Sequence, residues 1–94
     1  MFVLAYDVEL HIEASQSLKD KRQVVKSILD GARRRYGVSA SEVDFQDQWQ
    51  RARLGFAVVA SSEHQATEII DKVDRFVWSH PEIDVLATER RWLE

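Results

Sequence analysis

The sequence holds no cysteine among its 94 residues, and only one proline and three glycines. Without cysteine there can be no disulfide framework and no thiolate-held metal. No apolar run approaches the roughly 20 residues that a membrane span needs. The start, MFVLAYDVEL, lacks the basic segment and small-residue cleavage site of a secretory signal, and acidic Asp7 and Glu9 follow at once. A cytoplasmic protein is the expectation. No linker, repeat or low-complexity segment interrupts the chain, so residues 1–94 read as a single domain.

What is present is ordinary in amount and uneven in distribution. The apolar share of 45% and the charged share of 31% suit a soluble globular domain. A domain of this size buries only about two-thirds of its unfolded surface, which makes its stability modest unless it oligomerises. From Ser15 to Tyr36 the chain carries seven basic residues against Asp20 and Asp30, a local balance of +5. The whole chain is at −3, so the remainder carries −8. A basic segment on an acidic body can meet an anionic partner without the high pI of a dedicated nucleic-acid binder.

Periodicity lays out six elements. Phe2, Leu4, Tyr6, Val8, Leu10 and Ile12 share one parity, with Val3, Ala5, Asp7, Glu9 and His11 on the other, as in a long strand with one buried face. A helix of about five turns follows: Leu18, Val25, Leu29, Ala32 and Tyr36 recur at helical spacing. Ser17 with Asp20 suits its start and Gly37 its end. Two antiparallel strands come next, with Val43 and Phe45 expected inward before the turn and Leu54, Phe56, Val58 and Ala60 after it. Ser62 and Gln65 cap a second helix along the stripe Ala66, Ile69, Ile70, Val73, Phe76, Val77, which the His80-Pro81 step stops. A last strand runs from about Ile83 to Arg90. The order β-α-β-β-α-β is an α+β, ferredoxin-like arrangement, a four-stranded antiparallel sheet with both helices on one face. Right-handed crossovers put the first and third strands in the middle. The open face presents Val3, Ala5, Asp7, Glu9 and His11 beside Arg53, Gly55, Ala57 and Val59.

That face does not suit base stacking, which needs aromatic residues on the central strands, where this chain has small or charged ones. Val3, Ala5, Ala57 and Val59 form an apolar strip that can pack against a second subunit or stand as ordinary surface. Catalysis is poorly supplied, and no enzyme is expected. His11, His64 and His80 have no metal-ligand spacing, so neither metal nor cofactor is expected. Asp7 and Glu9 share a face but have no nucleophile beside them, and read as a solvated strand face. The loop EASQS after the first strand lacks the glycines and arginine with which acylphosphatase, another occupant of this fold, cradles phosphate. On the first helix Lys19, Arg22, Lys26 and Arg33 fall on one stripe, either a track for a phosphate backbone or a solvated face. Ser15, Ser17 and Lys19 with the free amides of the helix start can hold a phosphate, although Ser17 as a plain cap is preferred.

The hairpin EVDFQDQWQRARLGF is the oddest segment, because its middle has no Gly, Asn or Pro. With Trp49 and Gln50 at the tip a tight primed turn would need positive φ at both, so a longer or bulged connection is expected. Asp44 and Gln46 are expected to pair across the strands with Arg51 and Arg53. Trp49 then lacks a local explanation.

Two stretches, LHIEASQSLKDKRQVVKSIL and VSASEVDFQDQWQRARLGFAVV, resemble the YlxP-like family of short bacterial proteins of unassigned function, over nearly the whole chain. Ser-Leu-Lys-Asp-Lys-Arg and Trp-Gln-Arg-Ala carry the likeness together. The family loop before the first helix often reads Pro-Gly where this chain has Glu13 and Ala14. The resemblance implies the same fold and no catalytic residues. Family members are often encoded beside transcription and translation factors, which implies a role near RNA or the ribosome. Two functions follow as expectations. One is an RNA- or ribosome-associated accessory protein binding through Lys19, Arg22, Lys26 and Arg33, with Arg51 and Arg53 from the hairpin. The other is a homodimeric interaction module using Val3, Ala5, Ala57, Val59, Trp49 and Gln50 together with the tryptophans at 78 and 92.

Overall fold

A computed structural model of residues 1–94 has six elements: β1 (Phe2–His11), α1 (Leu18–Tyr36), β2 (Ser39–Asp44), β3 (Arg51–Ala60), α2 (Glu63–Trp78) and β4 (Asp84–Trp92). The sheet order is β2-β3-β1-β4, every pair antiparallel, with β1 and β3 central. This is the ferredoxin-like arrangement.

The even-numbered residues of β1 and β3 point to the helices, and Tyr6, Val8, Leu10, Leu54 and Phe56 are all but fully buried there. Val25, Ile28 and Ala32 of α1 and Ile70, Val73 and Val77 of α2 meet them. Each buried Val, Leu, Ile or Phe among them stabilises the fold by about 1.5–3 kcal/mol through burial alone. Gly31 lies where a Cβ would fall 2.5 Å from Phe76 Cζ, so its missing side chain lets the two helices close on one another.

The helix ends obey the expected chemistry. Ser17 Oγ accepts from the Asp20 amide at 3.1 Å, and the Asp20 carboxylate accepts from the Gln16 amide at 3.0 Å. Those bonds occupy the start of α1, which speaks for the cap and against a phosphate at Ser15 and Ser17. Gly37 takes the left-handed conformation (φ 65°) and donates to the Arg33 carbonyl. Ser62 accepts from the Gln65 amide, and α2 stops at Trp78, two residues before His80.

β2 departs from expectation. Val38, Ala40 and Glu42 turn toward the helices, whereas Val43 is half exposed on the open face, against the inward place that alternation assigned it. The register shifts between Glu42 and Asp44, a bulge that leaves Val43 without an opposite number on β3. The physical reason lies on α1: an inward carboxylate is needed to meet a buried lysine, and a charged residue at an inward position defeats a reading based on apolar parity. Phe45 then leaves the sheet with φ 62°, unusual for a bulky residue, and is only half buried.

Candidate functional site

The residues singled out by the sequence lie on three surfaces: the hairpin end, the outer side of α1 and the open sheet face. They are distinguished mainly by what their charges already touch.

At the hairpin end the dominant side chain is Lys21, which sequence reasoning counted only as one more positive charge. It is fully buried. Its Nζ donates to the carbonyls of Phe45 at 2.8 Å, Gln46 at 3.2 Å and Arg51 at 3.3 Å, and stands 2.9 Å from Glu42 Oε2. Three protons serve four oxygens, so Oε2 is held by charge rather than by a directed hydrogen bond. The turn itself is closed by the Gln48 amide donating to the Phe45 carbonyl. Gln50 reaches the other way, its Nε2 donating to the carbonyls of Glu13 and Ser15. The hairpin and the segment leading into α1 are thereby tied together twice.

Arg51 and Arg53 do not pair with Asp44 and Gln46. They turn to β1, on the other side of β3. Arg51 lies 2.9 Å from Glu9 and sits 3.8 Å over the Phe45 ring. Arg53 donates to Asp7 at 2.9 Å and to Glu9 at 3.4 Å, with Glu89 of β4 at 3.9 Å. The hydrogen bond from Arg53 to Asp7 raises the guanidinium pKa further. Asp7 and Glu9, read as solvated, are therefore the counter-charges of the hairpin arginines. The error came from pairing β3 with the nearer strand in sequence.

On α1 the four stripe residues separate. Arg33 is bound to Asp30 at 2.9 Å and also donates to the Ala40 carbonyl, which fastens α1 to β2. Lys19, Arg22 and Lys26 are exposed and have no acidic partner. Trp49 is 57% exposed in the hairpin connection, at the end of the molecule where α1 begins. Trp78 and Trp92 are also exposed, and Trp92 meets the Phe2 ring edge-on.

A groove of about 390 Å³ crosses the open sheet face. Ala5, Gly55 and Ala57 make its floor, Val43 stands on the β2 side, and Glu89 and Arg91 stand on the β4 side. No three His, Cys, Asp or Glu side chains gather so as to hold a metal ion. Below the sheet Tyr6 donates to Asp74 of α2 at 2.5 Å. Burial first, and that bond second, push the Tyr6 phenol far above its ordinary pKa, so it acts as a tie between layers.

A family profile described as protein of unknown function, DUF503, matches residues 3–90. The chain belongs to this family. One DUF503 relative is the uncharacterized protein YlxP of Bacillus subtilis (strain 168), 40% identical over 86 residues, which span 92% of this chain and 94% of that one. Among solved structures, the solution NMR structure of the de novo designed protein LFR1 1 with ferredoxin fold is similar at a TM-score of 0.56 and 14% identity, over all of this chain and 87% of that one. That is a likeness of fold alone. The resemblance drawn from the paired motifs of this DUF503 chain also acquires a physical basis. Ser-Leu-Lys-Asp-Lys-Arg supplies Lys21, Trp-Gln-Arg-Ala supplies Gln50 and Arg51, and Lys21 Nζ bonds the Arg51 carbonyl. The pairing of a lysine in a helix with an inward Glu42 four residues before an unusual turn was the one signal that could have found this cluster.

Proposed function

We propose that this DUF503 protein is a non-enzymatic binding protein that associates with RNA, on the ribosome or apart from it, through the outer face of α1. The observation that supports this reading is the row Lys19, Arg22 and Lys26, exposed, without acidic partners, and one helical turn apart in succession. Phosphates one to two turns apart can be met by such a row, and the exposed Trp49 at the same end offers a ring on which a base can stack. Arg51 and Arg53 belong less to this interface, because Asp7 and Glu9 already balance them. Three phosphate contacts to a single strand give a log–log salt slope of about −2. The test is a titration of RNA and of purified ribosomes at two salt concentrations. Changing Lys19, Arg22 and Lys26 together to Glu is expected to abolish binding and the slope with it. Binding that is unchanged in the charge-reversed protein, or that does not respond to salt, sinks the reading.

A second reading is favoured by the groove on the open sheet face. Its small-residue floor, bordered by Val43 and Arg91, suits a protein-interaction module.

A further inference from the structure

We propose that the open sheet face receives a second copy of this chain, in a two-fold dimer whose axis runs parallel to the strands between β1 and β3. The proposal deepens the interaction reading of that face and is independent of the RNA reading, since the helices would remain on the outside.

The two central strands lie level with one another, residue by residue. Val3 lies beside Val59, Ala5 beside Ala57, Asp7 beside Gly55, Glu9 beside Arg53 and His11 beside Arg51. A two-fold axis along the strands exchanges left and right but keeps the level. Each open-face residue of β1 is thereby set over the β3 residue of the second copy that it already neighbours in its own sheet. Val3 faces Val59 of the second copy, and Ala5 faces its Ala57. Glu9 faces its Arg53, and Arg53 faces its Glu9.

The charges fit the same operation. On this face β1 carries the acids Asp7 and Glu9, and β3 carries the bases Arg51 and Arg53. The acidic column of one copy therefore meets the basic column of the other: Arg53 gains the Glu9 of the second copy beside the carboxylates it already holds, while Arg51 is set over the second copy's His11. Counting Asp84, Glu89 and Arg91 of β4, the two central strands and β4 bring four acids against three arginines and His11 to the face, a near balance, whereas the chain as a whole stands at −3. A two-fold axis across the strands would instead lay the apolar end, Val3 and Val59, on the charged end. Apolar-on-apolar and acid-on-base matching are both met only by the axis along the strands.

Shape and size agree. Ala5, Gly55 and Ala57 let two backbones approach, while Val43 and Arg91 at the rims reach across to occupy the space beside them. With β1 and β3 about 33 Å long, β4 about 30 Å and β2 about 20 Å, at about 4.8 Å per strand the face presents on the order of 550 Å² per copy, or ~1,100 Å² in the pair. That lies at the lower end of stable interfaces, so the dimer is expected to be reversible.

The absence of cysteine makes a clean test. Mass would be followed by light scattering and sedimentation from low to high micromolar concentration. Wild type is expected to pass from monomer to dimer. Ala57→Arg, at a half-exposed position where circular dichroism can verify the fold, is expected to weaken the dimer at least about tenfold. Single-cysteine variants Val3→Cys and Val59→Cys, mixed and gently oxidised, are expected to cross-link with each other in preference to themselves. A wild type that stays monomeric at every concentration overturns the second copy as occupant, leaving the face open to a different protein. A dimer indifferent to Ala57→Arg overturns both the proposal and the use of this face. Preferred Val59–Val59 cross-links overturn the stated axis.

Discussion

Lys21 and Lys26 stand five residues apart on one helix, yet they end in opposite surroundings. Lys21 points under the hairpin, loses its water and is surrounded by three carbonyls and the Glu42 carboxylate. Lys26, with Lys19 and Arg22, points outward and touches no acid. The inner side of α1 uses positive charge to hold the chain's own backbone, and the outer side leaves it available. Arg51, Arg53 and Arg33 belong with the inner group, because each already faces a carboxylate. A tally of basic residues thus overstates what a partner can meet. Three of the seven in the first helical segment are free in a single stripe.

The contrast can be broken most severely at its inner end. Lys21→Met leaves the Glu42 carboxylate buried without its partner and is expected to cost at least about 3 kcal/mol in urea denaturation. Adding Glu42→Leu should recover part of that loss, since the stranded charge goes, but not all, since the Phe45 and Gln46 carbonyls stay unserved. Tyr6→Phe comes next, at about 2 kcal/mol for the lost bond to Asp74. Its sign with pH is distinctive. An unfolded tyrosine gives up its proton near pH 10, whereas Tyr6 in the fold keeps it to much higher pH. Above about pH 10 the native state therefore binds the extra proton, and stability falls as pH rises; below it this group adds no slope. The Tyr6→Phe variant is expected to lack that alkaline component, and phenolate absorbance of the native wild type should show no ionisation of Tyr6 near pH 10. Arg53→Ala is expected to cost about 1 kcal/mol, because its partners are partly solvated. At the far end, glutamate at each of positions 19, 22 and 26 should move stability by no more than about 0.5 kcal/mol per site while removing RNA binding. An equal loss of stability at inner and outer positions would erase the distinction.

Much of the fold was legible because periodicity and caps are local. The parity of β1 and β3, the Ser17 and Ser62 caps and Gly37 each announce themselves within a few residues, and the sheet order follows from chirality. The open face could be listed residue by residue for the same reason. What stayed hidden involved partners distant in sequence. Glu42 faces inward only because Lys21 waits there, and alternation scored Val43 and Phe45 in its place. Arg51 and Arg53 choose Glu9 and Asp7, more than 40 residues away, over the nearer Asp44. Trp49 is exposed, as the hairpin pattern allowed, while Gln50 beside it proved to be a fastening rather than a tip.

The Lys21 cluster also has a bearing on the order of folding events. Its bonds join residues 24 to 30 positions apart, and they hold Phe45 in a backbone conformation that a bulky residue does not adopt unaided. The β2–β3 connection therefore has little reason to take its final form before α1 has docked and the ammonium has left water. Turn closure becomes a late step, and substitutions at Lys21 should accelerate unfolding far more than they slow folding. Stopped-flow measurement of both rates would then find a connection that acts as a latch, set after the sheet and helix have met, with the helix carrying the bolt.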